Sequence, residues 1–173
     1  MEIEIKPATE NEAPLIALLG RVTFDDTFGH LFSAPEDVLE YLERTFSVTK
    51  ITNSIKKSNN RFWLAWGGGL PVGYAKLKLH SDSGFGSSGT EAQLQKIYVL
   101  QDFLGQGIGE ALQQAVFDRA TAEQRPQLWL SVLESNQRAI GFYKKHGFEK
   151  IGSHTFSIGR EDFKFIAMSK QLL

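Results

Sequence analysis

The sequence predicts a mixed α/β (α+β) fold, one sheet of about seven strands with helices on both faces. Three observations predict it. Segments alternating with period two stand apart from segments with an apolar stripe at helical spacing. Their order is strand, helices, two strands, strand–helix–strand–helix, then a hairpin, which is neither a regular βα alternation nor an all-β chain. The length, 173 residues with 42% hydrophobic side chains, fits one domain over residues 1–173. Such a chain buries roughly 70% of its unfolded surface and needs no disulfide or metal to hold it.

Each element has a local reason. Residues 2–6 (Glu-Ile-Glu-Ile-Lys) alternate charged and apolar, as a half-buried strand does. Thr9 and Glu12 stand at capping-box spacing and open a helix through about Thr27. Ser33 and Glu36 repeat the box, with Pro35 in the first turn, and open a helix to about Thr45. A short helix follows over 48–57. Residues 61–66 and 72–80 read as strands, joined by a hairpin turn over 67–71 (Gly-Gly-Gly-Leu-Pro). The Ser- and Gly-rich segment 81–90 reads as a mobile functional loop rather than a linker. Residues 93–100 form a strand, and 107–124 a helix with apolar positions 108, 112, 115, 116 and 120. Residues 127–133 alternate as a strand, and 136–146 form a helix stopped by Gly147. Residues 148–158 and 163–170 pair as a hairpin across 159–162.

Composition narrows the function. Nineteen basic and 20 acidic side chains leave a net charge of −1. Nucleic-acid-binding domains are usually strongly basic, so no nucleic-acid partner is expected. Cysteine is absent, which excludes a cysteine nucleophile and a thiolate metal site. The first residues lack a basic start and an apolar stretch, and the apolar run 13–19 is far short of the ~20 residues that span a bilayer. The expectation is a cytoplasmic protein with no membrane partner. The histidines at 30, 80, 146 and 154 show no metal-ligand spacing, so no metal is expected. His146, just before Gly147, suits a helix end. No Gly-x-Ser-x-Gly elbow supports hydrolase chemistry.

One motif points to a ligand. The strand over 93–100 runs into Gln101-Asp-Phe-Leu-Gly-Gln-Gly-Ile-Gly-Glu110 and then a helix. Glycines 105, 107 and 109 let backbone approach a ligand closely, and free N–H groups of the first helical turn face an anion. A phosphate or pyrophosphate is the natural guest; a plain Gly-rich turn is the alternative. A dinucleotide fingerprint fails, because its third glycine would fall on Glu110 or Leu112. A Walker A loop fails, because Gly109 is followed by Glu110 rather than Lys.

Together with Asn136-Gln-Arg-Ala139-Ile-Gly-Phe142-Tyr143-Lys-Lys-His-Gly147-Phe148, this loop resembles the two signatures of the GCN5-related N-acetyltransferase (GNAT) family, in order and on the expected elements. Within the family the chain looks most like the PaiA-type spermidine/spermine acetyltransferases. That likeness is carried by Thr23-Phe-Asp-Asp-Thr-Phe28, Ile97-Tyr-Val99 and Gly152-Ser-His-Thr-Phe-Ser-Ile-Gly159. One departure is Leu104, where the loop signature usually has Gln or Arg.

The resemblance implies a mostly antiparallel sheet with a splayed central strand pair, and acetyl-CoA as cosubstrate. It implies that the pantetheine arm lies along Ile97, Tyr98 and Val99, with Asn136 bonding it. The pyrophosphate would sit on Gly105, Gln106, Gly107, Ile108, Gly109 and Glu110. Lys145 would approach the CoA phosphates, with a solvated helix charge as the alternative. A backbone N–H near Val99 would serve a developing oxyanion, since preorganised donors are usually the largest catalytic term. Tyr143 would be the general acid toward the leaving sulfur, with packing beside Phe142 as the alternative.

The general base stays open. Gln93 and Gln95 occupy strand positions where many family members carry Glu. Glu134 is the first remaining carboxylate, Glu91 the second, and a chain of waters the third option. Asp26, His30, Glu134 and His154 are the candidates for facing the acceptor. Residues 24–46 hold Asp25, Asp26, Glu36, Asp37, Glu40 and Glu43 against Arg44, a field that would attract a cation. The implied reaction is acetyl transfer to a primary amine of a small cationic acceptor, with a polyamine as the named candidate. The alternatives are a peptide or protein acceptor and a non-catalytic acyl-CoA-binding regulatory module. Oligomeric state is open between monomer and homodimer.

Overall fold

Period-two alternation puts seven strands into one sheet among the described residues. They are β1 (Ile3–Pro7), β2 (Asn60–Gly67), β3 (Leu70–Lys78), β4 (Ala92–Val99), β5 (Gln127–Leu133), β6 (Glu149–Ile158) and β7 (Glu161–Gln171). The computed structural model describes residues 1–86 and 89–173. The spatial order is β1-β2-β3-β4-β5-β7-β6, and every neighbouring pair except β4–β5 is antiparallel.

The α-helices are α1 (Ala13–Phe28), α2 (Pro35–Thr45), α3 (Val48–Lys56), α4 (Ile108–Ala122) and α5 (Gln137–Lys145). They cover both faces. Trp63 and Ala65 of β2 pack in one core with Ile108, Leu112, Val116 and Ala120, which the four-residue spacing places on one stripe of α4. Ile140 and Tyr143 of α5 join that core. Phe62 and Leu64 point the other way, into a second core with Ile16 and Leu19 of α1, Val38 and Leu42 of α2, and Ile51 of α3. No helix among the described residues is long and apolar enough to cross a membrane.

Several local expectations change. The Thr9–Glu12 box forms, with Glu12 accepting from Thr9 N at 2.6 Å, but it caps one 3₁₀ turn over 10–12. α1 starts only afterwards, with Pro14 in its first turn. Ser33 caps nothing: α2 has Ala34 at its N-cap, without a side-chain cap. Ser33 instead donates its N–H to Glu161 of β7 at 2.9 Å, tying the start of α2 to the last hairpin. The β2–β3 turn is tighter than expected. Gly68 and Gly69 both take positive φ, 58° and 83°, as a two-residue hairpin turn requires. β3 therefore begins at Leu70, and Val72 is an extra residue opposite the Ala65–Trp66 step.

His146 holds the end of α5 through Nδ1, 2.8 Å from Phe142 O, and Gly147 follows with φ 87°. Residues 81–86 and 89–90 form no helix or strand. Residues 87 and 88, part of the expected loop, lie outside the described residues.

The feature that positions the site is the junction of β4 and β5. They pair only at Ala92↔Leu128 and Gln93↔Trp129, then part. Gln95 is an extra residue between Leu77↔Leu94 and Lys76↔Lys96. Such a bulge bends its strand and sharpens the twist. Beyond the bulge β4 stays close to β3: a Cβ on Gly73 would lie 2.7 Å from Tyr98 O. β4 follows β3 while β5 follows β7, and the sheet opens between them.

Candidate active site

Parting the strands leaves strand-edge donors without partners. Leu100 N donates to Val72 O at 2.8 Å. In this antiparallel pairing N–H groups alternate in direction, so those of Tyr98 and Leu100 turn to β3. Those of Ile97 and Val99 turn to the gap, where β5 has withdrawn. A cleft of about 560 Å³ occupies that gap, with Ile97, Tyr98 and Val99 in its wall. An extended ligand can add there as an extra strand, and the two inward N–H groups can stabilise negative charge on an oxygen.

One end of the cleft presents bare glycine backbone and a helix N-terminus. Gly105 and Gly107 take φ of 75° and 83°, a region that disfavours a side chain. No atom lies within 4 Å of where a Cβ would stand on either, so the backbone is bare toward solvent. Gly107 is the N-cap of α4, and Ala111 N is bonded back to Gly107 O at 3.0 Å. The N–H groups of Ile108, Gly109 and Glu110 precede it and have no acceptor within the helix. Gly105, Gly109 and Glu110 line the cleft. Gln106, Gly107 and Ile108 do not, and the Ile108 side chain is buried in the core. Leu104 is exposed at the rim and brings no polar group.

α5 forms another wall. Its N-cap, Asn136, accepts from Ala139 N at 3.1 Å. That uses the side-chain oxygen and leaves the amide as a donor beside the cleft. Tyr143 lines the cleft while mostly buried, its ring edge-on to Phe142 at 5.5 Å and Phe148 at 5.7 Å. Burial pushes its phenol well above the usual range, with Tyr98 adding a smaller push, so the hydroxyl remains a proton donor at neutral pH. Lys145 stands outside the cleft, 4.0 Å from the Glu110 carboxylate at the start of α4.

The opposite wall belongs to α1. Asp26 and His30 line it with Phe28, which meets Phe165 of β7 at 6.2 Å. The acidic field expected over residues 24–46 shrinks to one group: Asp26 alone of its six carboxylates lines the cleft. Glu36 and Asp37 pair with Arg160, at 3.0 and 3.6 Å. Glu134 is exposed, outside the cleft wall, and in the turn that leads to α5. Glu91 is buried and accepts from Ser83 N at 2.9 Å, so it holds the following loop rather than the cleft. His154 of β6 also stands outside the wall, yet its Nε2 lies 2.7 Å from Ser131 Oγ, and Ser131 is in the wall.

Two features escaped the sequence reading. Ser131 is one. Lys96 is the other: it lines the cleft opposite Lys76 in the β3–β4 register. Burial pushes Lys96 down to about 8. Lys76 is pushed to about 7, by burial first and the Lys96 charge second. Their ammonium groups sit 5.1 Å from the Phe46 ring and 5.5 Å from the Phe62 ring. Neither enters an ion pair among the described residues. The available signal was a lysine at the same parity as Tyr98 on a strand whose faces are both covered. No group of three or more His, Asp or Glu side chains gathers as a metal site among the described residues.

Comparison with known proteins gives a consistent picture. The model of the acetyltransferase (GNAT) family matches residues 24–148. An uncharacterised N-acetyltransferase in the pepI 3′ region of Lactobacillus delbrueckii subsp. lactis is 26% identical over 171 residues, 99% of this chain and 98% of that protein. An uncharacterised N-acetyltransferase of Mycobacterium tuberculosis is 29% identical over 140 residues, 81% of this chain and 85% of that one. Among solved structures, the PaiA N-acetyltransferase from Thermoplasma acidophilum in complex with coenzyme A has a TM-score of 0.78 at 20% identity, covering 99% of both chains. The ribosomal-protein-S18-alanine N-acetyltransferase from Escherichia coli has a TM-score of 0.72 at 18% identity, covering 99% of this chain and 94% of that one. At those identities the structural likeness is one of fold.

Proposed function

The chain belongs to the GNAT family of acetyltransferases and uses acetyl-CoA as cosubstrate, and from that premise we propose that it acetylates a primary amine of a small acceptor carrying at least one further positive charge, as polyamines do. The observation that carries the acceptor reading is the single carboxylate, Asp26, in a wall otherwise lined on the α1 side by Thr23, Thr27, Phe28, His30 and Leu31. One carboxylate suits one distal ammonium. Lys96, at the fork, disfavours a second cation deeper in the cleft.

The residues fit the cosubstrate. The free N–H groups after Gly107 and the bare glycine backbone hold a pyrophosphate. The edge of β4 takes the extended arm, with the Asn136 amide beside it. Acetyl-CoA when bound supplies the acetyl thioester. The N–H groups of Ile97 and Val99 stabilise charge developing on the carbonyl oxygen, and Tyr143 gives its proton to the departing sulfur.

A thermal-shift assay tests the loop. At CoA 100-fold above Kd the native state gains about 2.7 kcal/mol, a rise on the order of 5–11 °C for a chain of this size. Gly109→Asp is the informative variant. Its Cβ would meet only Phe142, at an ordinary 3.6 Å, and its φ is not positive, so the fold should tolerate it. The added carboxylate faces the anion site and should abolish the rise. An undiminished rise would remove this loop from the cosubstrate site.

Asp26→Asn tests the acceptor. Spermidine should exceed a monoamine of similar length in kcat/KM, and the variant should shrink that advantage about two- to fivefold, the scale of one exposed ion pair. Equal preference before and after the change, or a peptide amine outrunning spermidine, would exclude the polyamine reading and leave the acetyltransferase standing.

A further inference from the structure

None of the carboxylates considered as a general base is placed for it. Glu91 is buried in the loop contact, Glu134 is outside the cleft, and Gln93 and Gln95 cannot take a proton. We propose that the proton leaves the acceptor through a two-residue relay, from the amine to Ser131 Oγ and from Ser131 to His154 Nε2, an inference that rests on the acetyl-transfer reading above.

The geometry puts the relay at the reacting end. Ser131 lies two residues past the last paired position, Gln93↔Trp129, where β4 and β5 part. It lines the cleft. Across the fork are the inward N–H groups of Ile97 and Val99. His154 reaches Ser131 over β7 at 2.7 Å. The imidazole is held flat on Phe165, with ring centroids 5.4 Å apart and planes within 11°. Phe165 in turn pairs with His154 across β6–β7 and with Leu133 across β5–β7, so the stack is fixed by strand register. The other side of His154 is exposed to water, which gives the proton an exit. An imidazole bound through a hydroxyl that itself faces the cleft has a reason to be there; a surface histidine needs no such partner.

The proton count closes. The N–C bond forms and the C–S bond breaks. The amine proton passes to Ser131 Oγ as the Ser131 hydroxyl proton passes to Nε2, in the tautomer that leaves Nε2 bare. The imidazolium discharges to solvent. Tyr143 supplies the proton to sulfur and is reprotonated from solvent. The groups packed directly on the imidazole, Ser131 and Phe165, do not titrate in the assay range. The other titratable side chains on the adjoining elements are Glu149 and Lys150 on β6, Glu161, Asp162, Lys164 and Lys170 on β7, Glu134 after β5, and Asp26 and His30 in the cleft wall.

The experiment is kcat/KM against pH for wild type, Ser131→Ala, His154→Gln and the double variant. Acetyl-CoA and spermidine are the substrates, thiol release is the readout, and the CoA thermal shift is followed in parallel. Each single variant should lose on the order of 10²-fold or more while keeping the CoA shift. The double variant should be no worse than either, because the two act as one unit. Beyond the limb set by deprotonation of spermidine itself, which all four proteins share, the wild-type profile should have a further acidic limb that disappears in His154→Gln. Near-wild-type turnover of Ser131→Ala, identical profiles for wild type and His154→Gln, or a parallel loss of CoA binding would overturn the relay. Thiol release by the wild type separates these failures from failure of the acetyl-transfer reading, which shows as no release with any amine and takes the relay with it.

Discussion

Tyr143→Phe is expected to bind CoA like the wild type and to lose 10²–10⁴-fold of kcat, about 3–5 kcal/mol of transition-state stabilisation. The substitution is close to isosteric. The edge contacts of the ring with Phe142 and Phe148 need no hydroxyl, so the core of α5 should remain. What is lost is the one phenol on the α5 wall of the cleft. Its burial also sets the pH behaviour. Burial disfavours phenolate and raises the phenol above its ordinary value, so the acid form persists through the assay range. Loss of a protonated Tyr143 should therefore cause no alkaline fall in kcat up to about pH 10. Pre-steady-state thiol release isolates the chemical step from product release. If kcat drops by less than about threefold, water protonates the sulfur and Tyr143 is a packing residue.

Lys96→Met should stabilise the protein at neutral pH by about 2–3 kcal/mol, a rise in Tm of roughly 4–12 °C. The lysine is pushed down to about 8 by burial, and no carboxylate offsets that burial among the described residues. An unfolded lysine keeps its proton to about pH 10.4. Between about 8 and 10.4 the unfolded chain therefore binds more protons, and wild-type stability rises with pH. The penalty is whole below about 8 and gone above 10.4. The gain from methionine should thus be greatest near pH 7 and vanish near pH 10. Methionine is flexible enough to fill the space against Phe46. Urea titrations at pH 7 and pH 10 decide it: an equal gain at both values, or a loss at pH 7, would mean that the ammonium is adequately solvated in the cleft. A stabilised variant with reduced turnover would mark Lys96 as a site where function is kept at the expense of stability.

Much of the molecule was legible because its signals are local. The strands, the order of the elements and the one-sided stripe of α4 follow from periodicity, which acts over a few residues. The bare backbone from Gly105 to Gly109 was legible for the same reason: positive φ and free first-turn N–H groups are properties of adjacent residues. Asn136 at the start of α5 and Gly147 after its end are likewise short-range devices. What the tertiary structure decided involves partners far apart in sequence. Ser33 and Glu36 have capping-box spacing, but Ser33 bonds Glu161 and Glu36 pairs with Arg160, 128 and 124 residues away. Those contacts draw Glu36 and Asp37 to Arg160, out of an acidic segment that the sequence presents as one field, and of its six carboxylates only Asp26 lines the cleft. A bulge at Gln95 parts β4 from β5 and turns a lysine of β4 into a desolvated cleft residue. Register across β5, β7 and β6 brings His154 to Ser131 over 23 residues of chain. Local patterns are set by backbone sterics and side-chain period; charge pairing and burial depend on which strands become neighbours, and that is decided only when the sheet closes on both of its cores.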